Sequence, residues 1–172
     1  MMKFIGAVLI LLATTAMGIL TGHRLAIRPQ QLQKLRNDLT LLEMDINYTA
    51  TPLPEALEKV AGYSQAPVQI LWLETRAGLC NGKGTMAEEA WQQGLEAFAR
   101  KAALKEIDLA VLRDFGSGLG LANREEQLKK FKLLQEQLRS LQLQAEEIRT
   151  KNERMWRTMG VLGGIALIIL LY

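Results

Sequence analysis

The chain has 172 residues, of which 49% are hydrophobic, and its 21 Lys and Arg against 18 Asp and Glu give a net charge of +3. A single cysteine excludes a fold held by internal disulfides, and one cysteine with one histidine cannot form a typical zinc site. The basic excess lies beside the two apolar ends, where anionic lipid attracts it, so no nucleic-acid partner is predicted.

An apolar segment without charged side chains occupies residues 4–22. A helix of about 20 apolar residues crosses a hydrocarbon core of about 30 Å, so residues 1–23 are predicted to form an amino-terminal transmembrane helix. A cleavable secretory signal is the alternative interpretation. The Ala-x-Ala cleavage pattern is absent and basic residues follow the segment, which favours the transmembrane helix.

A second uncharged segment, residues 158–172, ends the sequence. As a helix it extends only about 22 Å, which is short for a membrane span. Trp156, Arg157 and Tyr172 are its predicted membrane anchors, because aromatic and arginine side chains favour the interface of a bilayer. The segment is predicted to be transmembrane or membrane-inserted, and a half-inserted tail or a buried hydrophobic helix are the alternatives.

The residues between the two segments carry positive charge at both of their ends. The basic residues are Arg24, Arg28, Lys34 and Arg36 after the first segment, and Arg149, Lys151, Arg154 and Arg157 before the second. Since basic residues beside membrane spans stay in the cytoplasm, residues 24–157 are predicted to form a cytoplasmic domain with both termini outside.

A first helix is predicted from apolar residues at alternating spacings of three and four, namely Leu32, Leu35, Leu39, Leu42 and Ile46. Pro52 stops it and Pro54 can begin a second helix, which ends near Gly62. A third helix is predicted over residues 66–79, and residues 80–84 are the clearest loop.

Two further helices precede the longest one. Thr85 and Glu88 have the spacing of a capping box, and the helix that they open carries Trp91, Leu95 and Phe98. The fifth helix, about residues 105–115, is predicted to bury Ile107, Val111 and Phe115. The glycine-rich residues 116–120 end it.

The last helix is predicted to start at an Asn123 cap and to continue into the second apolar segment. Its apolar seam consists of Phe131, Leu134, Leu138, Leu141, Ala145, Ile148, Asn152, Met155 and Met159. The first and last helices both begin at the membrane, so they are antiparallel if they pair within one chain. The sequence thus predicts an all-α, antiparallel bundle of about six helices whose long first and last helices continue into terminal transmembrane spans. A parallel homodimeric coiled coil through Leu134 to Ile148 is the competing use of the seam.

No motif indicates an enzyme. Residues 81–85 resemble a fragment of a phosphate-binding loop but lack its full spacing, and the glycines of residues 116–120 lack the strand and spacing of a dinucleotide site. Cys80 lies far along the chain from His23, so no nucleophile–histidine pair is evident. No catalytic residue, cofactor or metal is predicted.

Several short motifs have a characteristic order and spacing. They are Gly6-Ala7, Arg28-Pro29, Leu35-Arg36, Leu42-Glu43, the hexapeptide Thr-Pro-Leu-Pro-Glu-Ala at residues 51–56, Phe115-Gly116, Leu119-Gly120, Lys151-Asn152-Glu153 and Leu162-Gly163-Gly164. Through them the chain resembles, over essentially its whole length, the stage III sporulation protein AB family of spore-forming bacteria. Asn123 departs from the family pattern, in which an acidic residue is usual, and both residue types cap helices.

The resemblance implies that residues 24–157 are a domain similar to the F-domain platform proteins of type II secretion. It implies a location in the mother-cell membrane facing the forespore. It also implies a cytosolic secretion-type ATPase partner, stage III sporulation protein AA, together with other stage III sporulation membrane proteins. The predicted function is a non-enzymatic platform or adaptor that couples this ATPase to membrane components. A membrane-tethered homodimeric scaffold without an ATPase partner is the alternative.

The candidate partner-binding residues are Glu43, Asp45, Tyr48, Thr51, Leu53, Phe115, Gly116, Leu119 and Gly120. Glu43 and Asp45 lie on opposite sides of a helix, so they are no catalytic pair, and they indicate either a solvated face or a docking surface for a basic partner. The other residues belong to two predicted turns remote from lipid, for which a purely structural role is the alternative.

Overall fold

The computed structural model describes residues 26–82, 84–119 and 124–171, and these residues contain helices without strands. The helices are α1 (26–47), α2 (Leu53–Tyr63), α3 (Val68–Leu79), α4 (Ala87–Ala99), α5 (Glu106–Gly116) and α6 (Arg124–Leu171). The predicted all-α class is confirmed. The chain divides into two compact units, one formed by residues 28–143 and the other containing residues 26–27 and α6 from Gln144 onward.

Within the unit of residues 28–143, α1 and α6 pair in opposite directions. Arg36 Nη1 donates a hydrogen bond to Gln142 Oε1 over 2.7 Å, and Gln135 Nε2 donates to Glu43 Oε2 over 2.8 Å. Residue numbers therefore rise along α1 as they fall along α6. The two helices are antiparallel partners within one chain.

The shorter helices continue the alternation of direction. Lys59 on α2 lies 3.6 Å from Asp45, and Ser64 Oγ donates to Asp38 Oδ2 over 2.6 Å, so α2 runs back along α1. Helices α2 and α3 are antiparallel, because Arg76 bonds to Glu58 and Gln69 bonds to Ala61. Helices α3 and α4 are also antiparallel, because Gly78 lies beside Ala90 and Gly94 beside Thr75. Each of these helices is antiparallel to the one before it.

Helix α5 is antiparallel to α4 and therefore runs in the same direction as α1. Its first turn carries Asp108, which pairs with Arg28 at the start of α1 in this unit, while Leu112 O accepts a bond from Trp91 Nε1 over 2.7 Å. The unit thus has a near end, with the start of α1 and the connections at residues 64–67 and 100–105. Its far end holds the connections at residues 48–52, 80–86 and 117–123, as far as these are described.

The core contains most of the seam residues predicted for α1 and those predicted for the first part of α6. Leu32, Leu35, Leu39 and Leu42 on α1 are fully buried, and Phe131, Leu134, Leu138 and Leu141 on α6 are buried as well. Four aromatic rings from successive helices pack in a row, Trp72 on Trp91 (5.8 Å between centroids), Trp91 on Phe115 (5.3 Å) and Phe115 on Phe131 (4.9 Å). This row joins α3, α4, α5 and α6 through apolar contact, which is the main stabilising term in folding.

Three predictions of detail are wrong. Ile107 is 58% exposed, because α5 turns Asp108 and Leu112 inward instead. Helix α4 starts at Ala87 without a side-chain cap, since the Thr85 hydroxyl bonds to Asn81. The α6 seam is buried only as far as Ala145, and Ile148 and Met155 are exposed.

In the part of the chain that the structure describes, no helix is both long enough and apolar enough to cross a membrane. The predicted span at residues 4–22, the Asn123 cap and the anchor Tyr172 lie outside the described residues. The anchors Trp156 and Arg157 lie on α6.

Helices α3 and α4 approach closely at Gly94, and this contact predicts a measurable effect. A Cβ atom there would overlap Thr75 Oγ1 and lie 2.8 Å from Leu71 O, so Gly94→Ala is expected to destabilise the chain by about 1–3 kcal/mol. A Cβ atom added at Gly62 would have no other atom within 4 Å, so Gly62→Ala should be neutral or stabilising by up to about 1 kcal/mol. Denaturant unfolding of the full chain in mild detergent, followed by circular dichroism, measures both. Equal effects would contradict the close approach.

Candidate functional site

The described residues contain no group of three His, Cys, Asp or Glu side chains placed to hold a metal ion. Some of their titratable side chains form ion pairs between helices, as in Arg28–Asp108, Lys59–Asp45 and Arg76–Glu58. The nine predicted partner-binding residues form the candidate site, and they fall into two groups of different character.

The connection between α1 and α2 exposes an aromatic side chain at the far end. Tyr48 is 79% exposed, and Met44, one turn earlier on α1, is exposed as well. The backbone is ordered by bonds from Tyr48 N to Met44 O and from Thr51 N to Asp45 O, both 3.0 Å long. The side chain of Tyr48 is thus presented to solvent by a defined turn.

The neighbouring candidates are engaged within the chain to different degrees. Asp45 lies 3.6 Å from Lys59 Nζ, so its charge is partly compensated. Thr51 and Leu53 are half-buried at the start of α2. Glu43 accepts a bond from Gln135, and partial burial raises the pKa of this carboxyl above its ordinary value, although Lys132 and Gln135 favour its charged form. Glu43 therefore serves the pairing of α1 with α6.

The connection between α5 and α6 is built from core residues. Phe115, Gly116 and Leu119 are buried, and a Cβ atom on Gly116 would overlap Trp91 Cδ1. Glycine at this position lets α5 approach the Trp91 ring. Gly120 lies outside the described residues. Burial of these side chains favours the alternative that this corner is structural, and Tyr48 is left as the most exposed described candidate.

A buried carboxyl group that the sequence did not single out lies between α1, α2 and α3. Asp38 Oδ2 accepts bonds from Ser64 Oγ over 2.6 Å and from Trp72 Nε1 over 2.8 Å. Burial raises the pKa of Asp38 above its ordinary value, against the opposing effects of these two donors and of Lys34. No local pattern could identify it, because Ser64 and Trp72 meet Asp38 only in the folded chain.

Asp38 predicts a pH dependence of stability. A carboxyl group whose pKa is raised by folding stabilises most below its unfolded pKa, and this contribution is lost as the pH rises through the folded pKa. We therefore expect the wild type to lose stability relative to Asp38→Asn as the pH rises above about 4, the ordinary pKa of an aspartate in the unfolded chain. Guanidinium titrations of both full chains at several pH values measure the difference. A difference that is constant with pH, or that grows in favour of the wild type, would contradict the raised pKa.

The near end contains a second cluster that sequence reasoning missed. Arg28 Nε and Nη2 donate to the two carboxylate oxygens of Asp108 over 2.8 and 2.7 Å. Asp108 Oδ2 also accepts the backbone N–H of Lys105 over 2.8 Å. Gln31 Oε1 accepts the N–H of Ala103 over 2.8 Å. These bonds fix the connection between α4 and α5 to the beginning of α1.

Comparisons with known proteins agree on one family. The family model described as stage III sporulation protein AB matches residues 3–172. The chain is 36% identical over 171 residues to stage III sporulation protein AB of Bacillus subtilis (strain 168), covering 99% of both sequences. It is also similar to a solved structure of stage III sporulation protein AB, with a TM-score of 0.69 and 33% identity, covering 73% of this chain and 98% of the other.

Proposed function

Since the chain belongs to the stage III sporulation protein AB family, we propose that it is a non-enzymatic membrane platform subunit of a sporulation-specific, secretion-like complex. In this role it couples a cytosolic ATPase, similar to stage III sporulation protein AA, to membrane components. The predicted mother-cell location facing the forespore is part of the same proposal. Sporulation as the process follows from the family, and the platform role is our proposal.

The observation that carries the proposal is the antiparallel pairing of α1 with α6 inside one chain. Its bonds, Arg36–Gln142 and Gln135–Glu43, place the start of α1 and the departure of α6 at the same end of the unit of residues 28–143. A unit with both connections at one end leaves its other end available to a partner. This is the arrangement expected of a platform that meets a cytosolic machine away from its attachment.

Membrane attachment is proposed from the sequence at the two ends. Residues 4–22 are uncharged and long enough to span a bilayer, and residues 158–172 are apolar but short. We propose that both segments cross the membrane, the short second one with Trp156 and Arg157 at its cytoplasmic boundary. The basic residues next to both segments support a cytoplasmic position for the helices between them.

The homodimeric coiled-coil scaffold receives less support. Leu134, Leu138 and Leu141, through which such a dimer would form, are already buried within one chain. Releasing them for a second chain would expose the Phe131 ring and its neighbours.

We propose that the ATPase contacts the far end, because Tyr48 and Met44 are exposed there.

Copurification of the ATPase with the full chain, solubilised from membranes, tests the proposal. Tyr48→Ala is expected to lower the captured ATPase about tenfold or more, because exposed tyrosines are frequent hot spots of interfaces. Tyr63 is equally exposed, at 80% against 79%, but ends α2 at the near end, so Tyr63→Ala is the matched control and should capture as much as wild type. No capture by the wild type would overturn the ATPase coupling. Equal losses in both variants would overturn the far-end contact.

A further inference from the structure

The connection between α4 and α5 concentrates positive charge at the near end. Arg100, Lys101 and Lys105 are all exposed, and residues 100–105 contain no acidic side chain. The next acid, Glu106, lies 3.3 Å from Arg113, which offsets its charge. An exposed apolar side chain, Ile107, follows in the first turn of α5. We call Arg100, Lys101, Lys105 and Ile107 the near-end basic surface.

This surface is held in place by bonds at several points. The N–H groups of Lys101 and Ala102 donate to Phe98 O over 3.0 Å, which closes the end of α4. The N–H of Ala103 donates to Gln31, and that of Lys105 to Asp108, the buried partner of Arg28. The positive charges therefore do not sit on a loose loop but on a backbone fixed to the start of α1.

The covalent chain limits how far this surface can lie from the first apolar segment. The residues between Gly22 and Arg28 span at most about 20 Å even when fully extended. Arg28 contacts Asp108 directly, and Asp108 contacts the backbone of Lys105. Lysine and arginine side chains reach several ångströms further and are attracted to anionic lipid within a Debye length of about 8–10 Å.

We propose that the near-end basic surface rests on anionic lipid head groups, with Ile107 inserted at the interface. The inference rests on the proposed membrane attachment and adds to it a specific lipid-contacting face. Basic side chains together with an exposed aliphatic one are the composition of surfaces that lie in the head-group region. The contact would fix the orientation of the bundle above the membrane, so that the far end points away from lipid.

Fluorescence quenching in reconstituted vesicles tests this contact. The full chain is placed in phosphatidylcholine vesicles with or without phosphatidylglycerol, and a fluorophore is attached in the Cys80→Ser/Ile107→Cys variant. The matched control is the natural sequence labelled at Cys80, the chain's single cysteine, which is exposed in the far-end connection. Quenching by nitroxide-labelled head groups is expected at position 107 in anionic vesicles, and at most weakly at Cys80.

Charge variants test the cause of the contact. Each basic side chain near an anionic membrane strengthens binding to that membrane about fivefold. Lys101→Gln/Lys105→Gln is therefore expected to remove most of the quenching at position 107. Lys129→Gln/Lys132→Gln, in exposed residues of α6, changes the net charge equally and should leave it intact. High salt should weaken the quenching, as it screens exposed charges.

Flotation of the same vesicles separates the two proposals. A chain that does not float with them overturns both membrane attachment and lipid contact. A chain that floats but is quenched equally at position 107 and at Cys80 overturns the lipid contact alone. Equal quenching in neutral and anionic vesicles, or equal losses in both double variants, overturns the role of the basic side chains.

Discussion

Phe131→Ala is expected to destabilise the chain by about 3–5 kcal/mol, because it empties a fully buried position next to Phe115 and leaves a cavity in the core. Leu133→Ala, on the same helix, removes a side chain that is 55% exposed and should change stability by no more than about 0.5 kcal/mol. The two variants thus compare opposite faces of α6. Denaturant unfolding of the full chain in mild detergent gives both free energies.

The comparison also tests the intrachain use of the α6 seam. If Phe131 and its neighbours faced a second chain, the unfolding free energy of the wild type would fall on dilution, since dimers dissociate. We expect no such dependence. Similar effects of the two substitutions, or a wild-type stability that falls on dilution, would contradict the packing of α6 within its own chain.

Asp108→Ala is expected to cost about 3–5 kcal/mol, because it leaves the guanidinium of Arg28 and the N–H of Lys105 without their buried acceptor. Glu106→Ala removes an exposed partner of Arg113 and should cost no more than about 1 kcal/mol. The two acids lie in the same turn of α5, so differences in helix propensity between them are small. A loss on Asp108→Ala as small as that on Glu106→Ala would show that the pair with Arg28 is solvated.

The sequence predicted the two long helices well because their core contacts follow a simple period. Leu32, Leu35, Leu39 and Leu42 lie on one face of any α-helix, and that face had to be buried. The antiparallel pairing of α1 with α6 followed from where their predicted membrane segments lie. Both features could be predicted because they depend on the order and spacing of residues along the chain.

Other features could not be predicted because they depend on neighbours distant in sequence. Residues 107, 111 and 115 have a helical spacing, but so do 108, 112 and 115, and a buried aspartate is an improbable choice without knowledge of Arg28. Similarly, the hydrogen bonds that Ser64 and Trp72 donate to Asp38 could not be predicted, because the three residues are close together only in the folded chain.

The exposure of the candidate residues could be predicted only in part for the same reason. Prolines and glycines correctly located the turns at residues 48–52 and 117–119, but they do not indicate which side chains a turn exposes. Tyr48 is exposed, whereas Phe115 and Leu119 are required by the core around Trp91 and Phe131. A residue can therefore lie in a predicted turn and still be unavailable to a partner.

Thiol labelling in cells tests the central claim that a helical unit in the cytoplasm is attached by both of its ends to one membrane. Cys80 is exposed, so a membrane-impermeant maleimide reaches it whenever the reagent enters its compartment. In vegetative cells expressing the full chain, Cys80 is expected to react only after permeabilisation. The Cys80→Ser/Tyr172→Cys variant is expected to react in intact cells. Labelling of Cys80 in intact cells, or protection of position 172, would contradict the account.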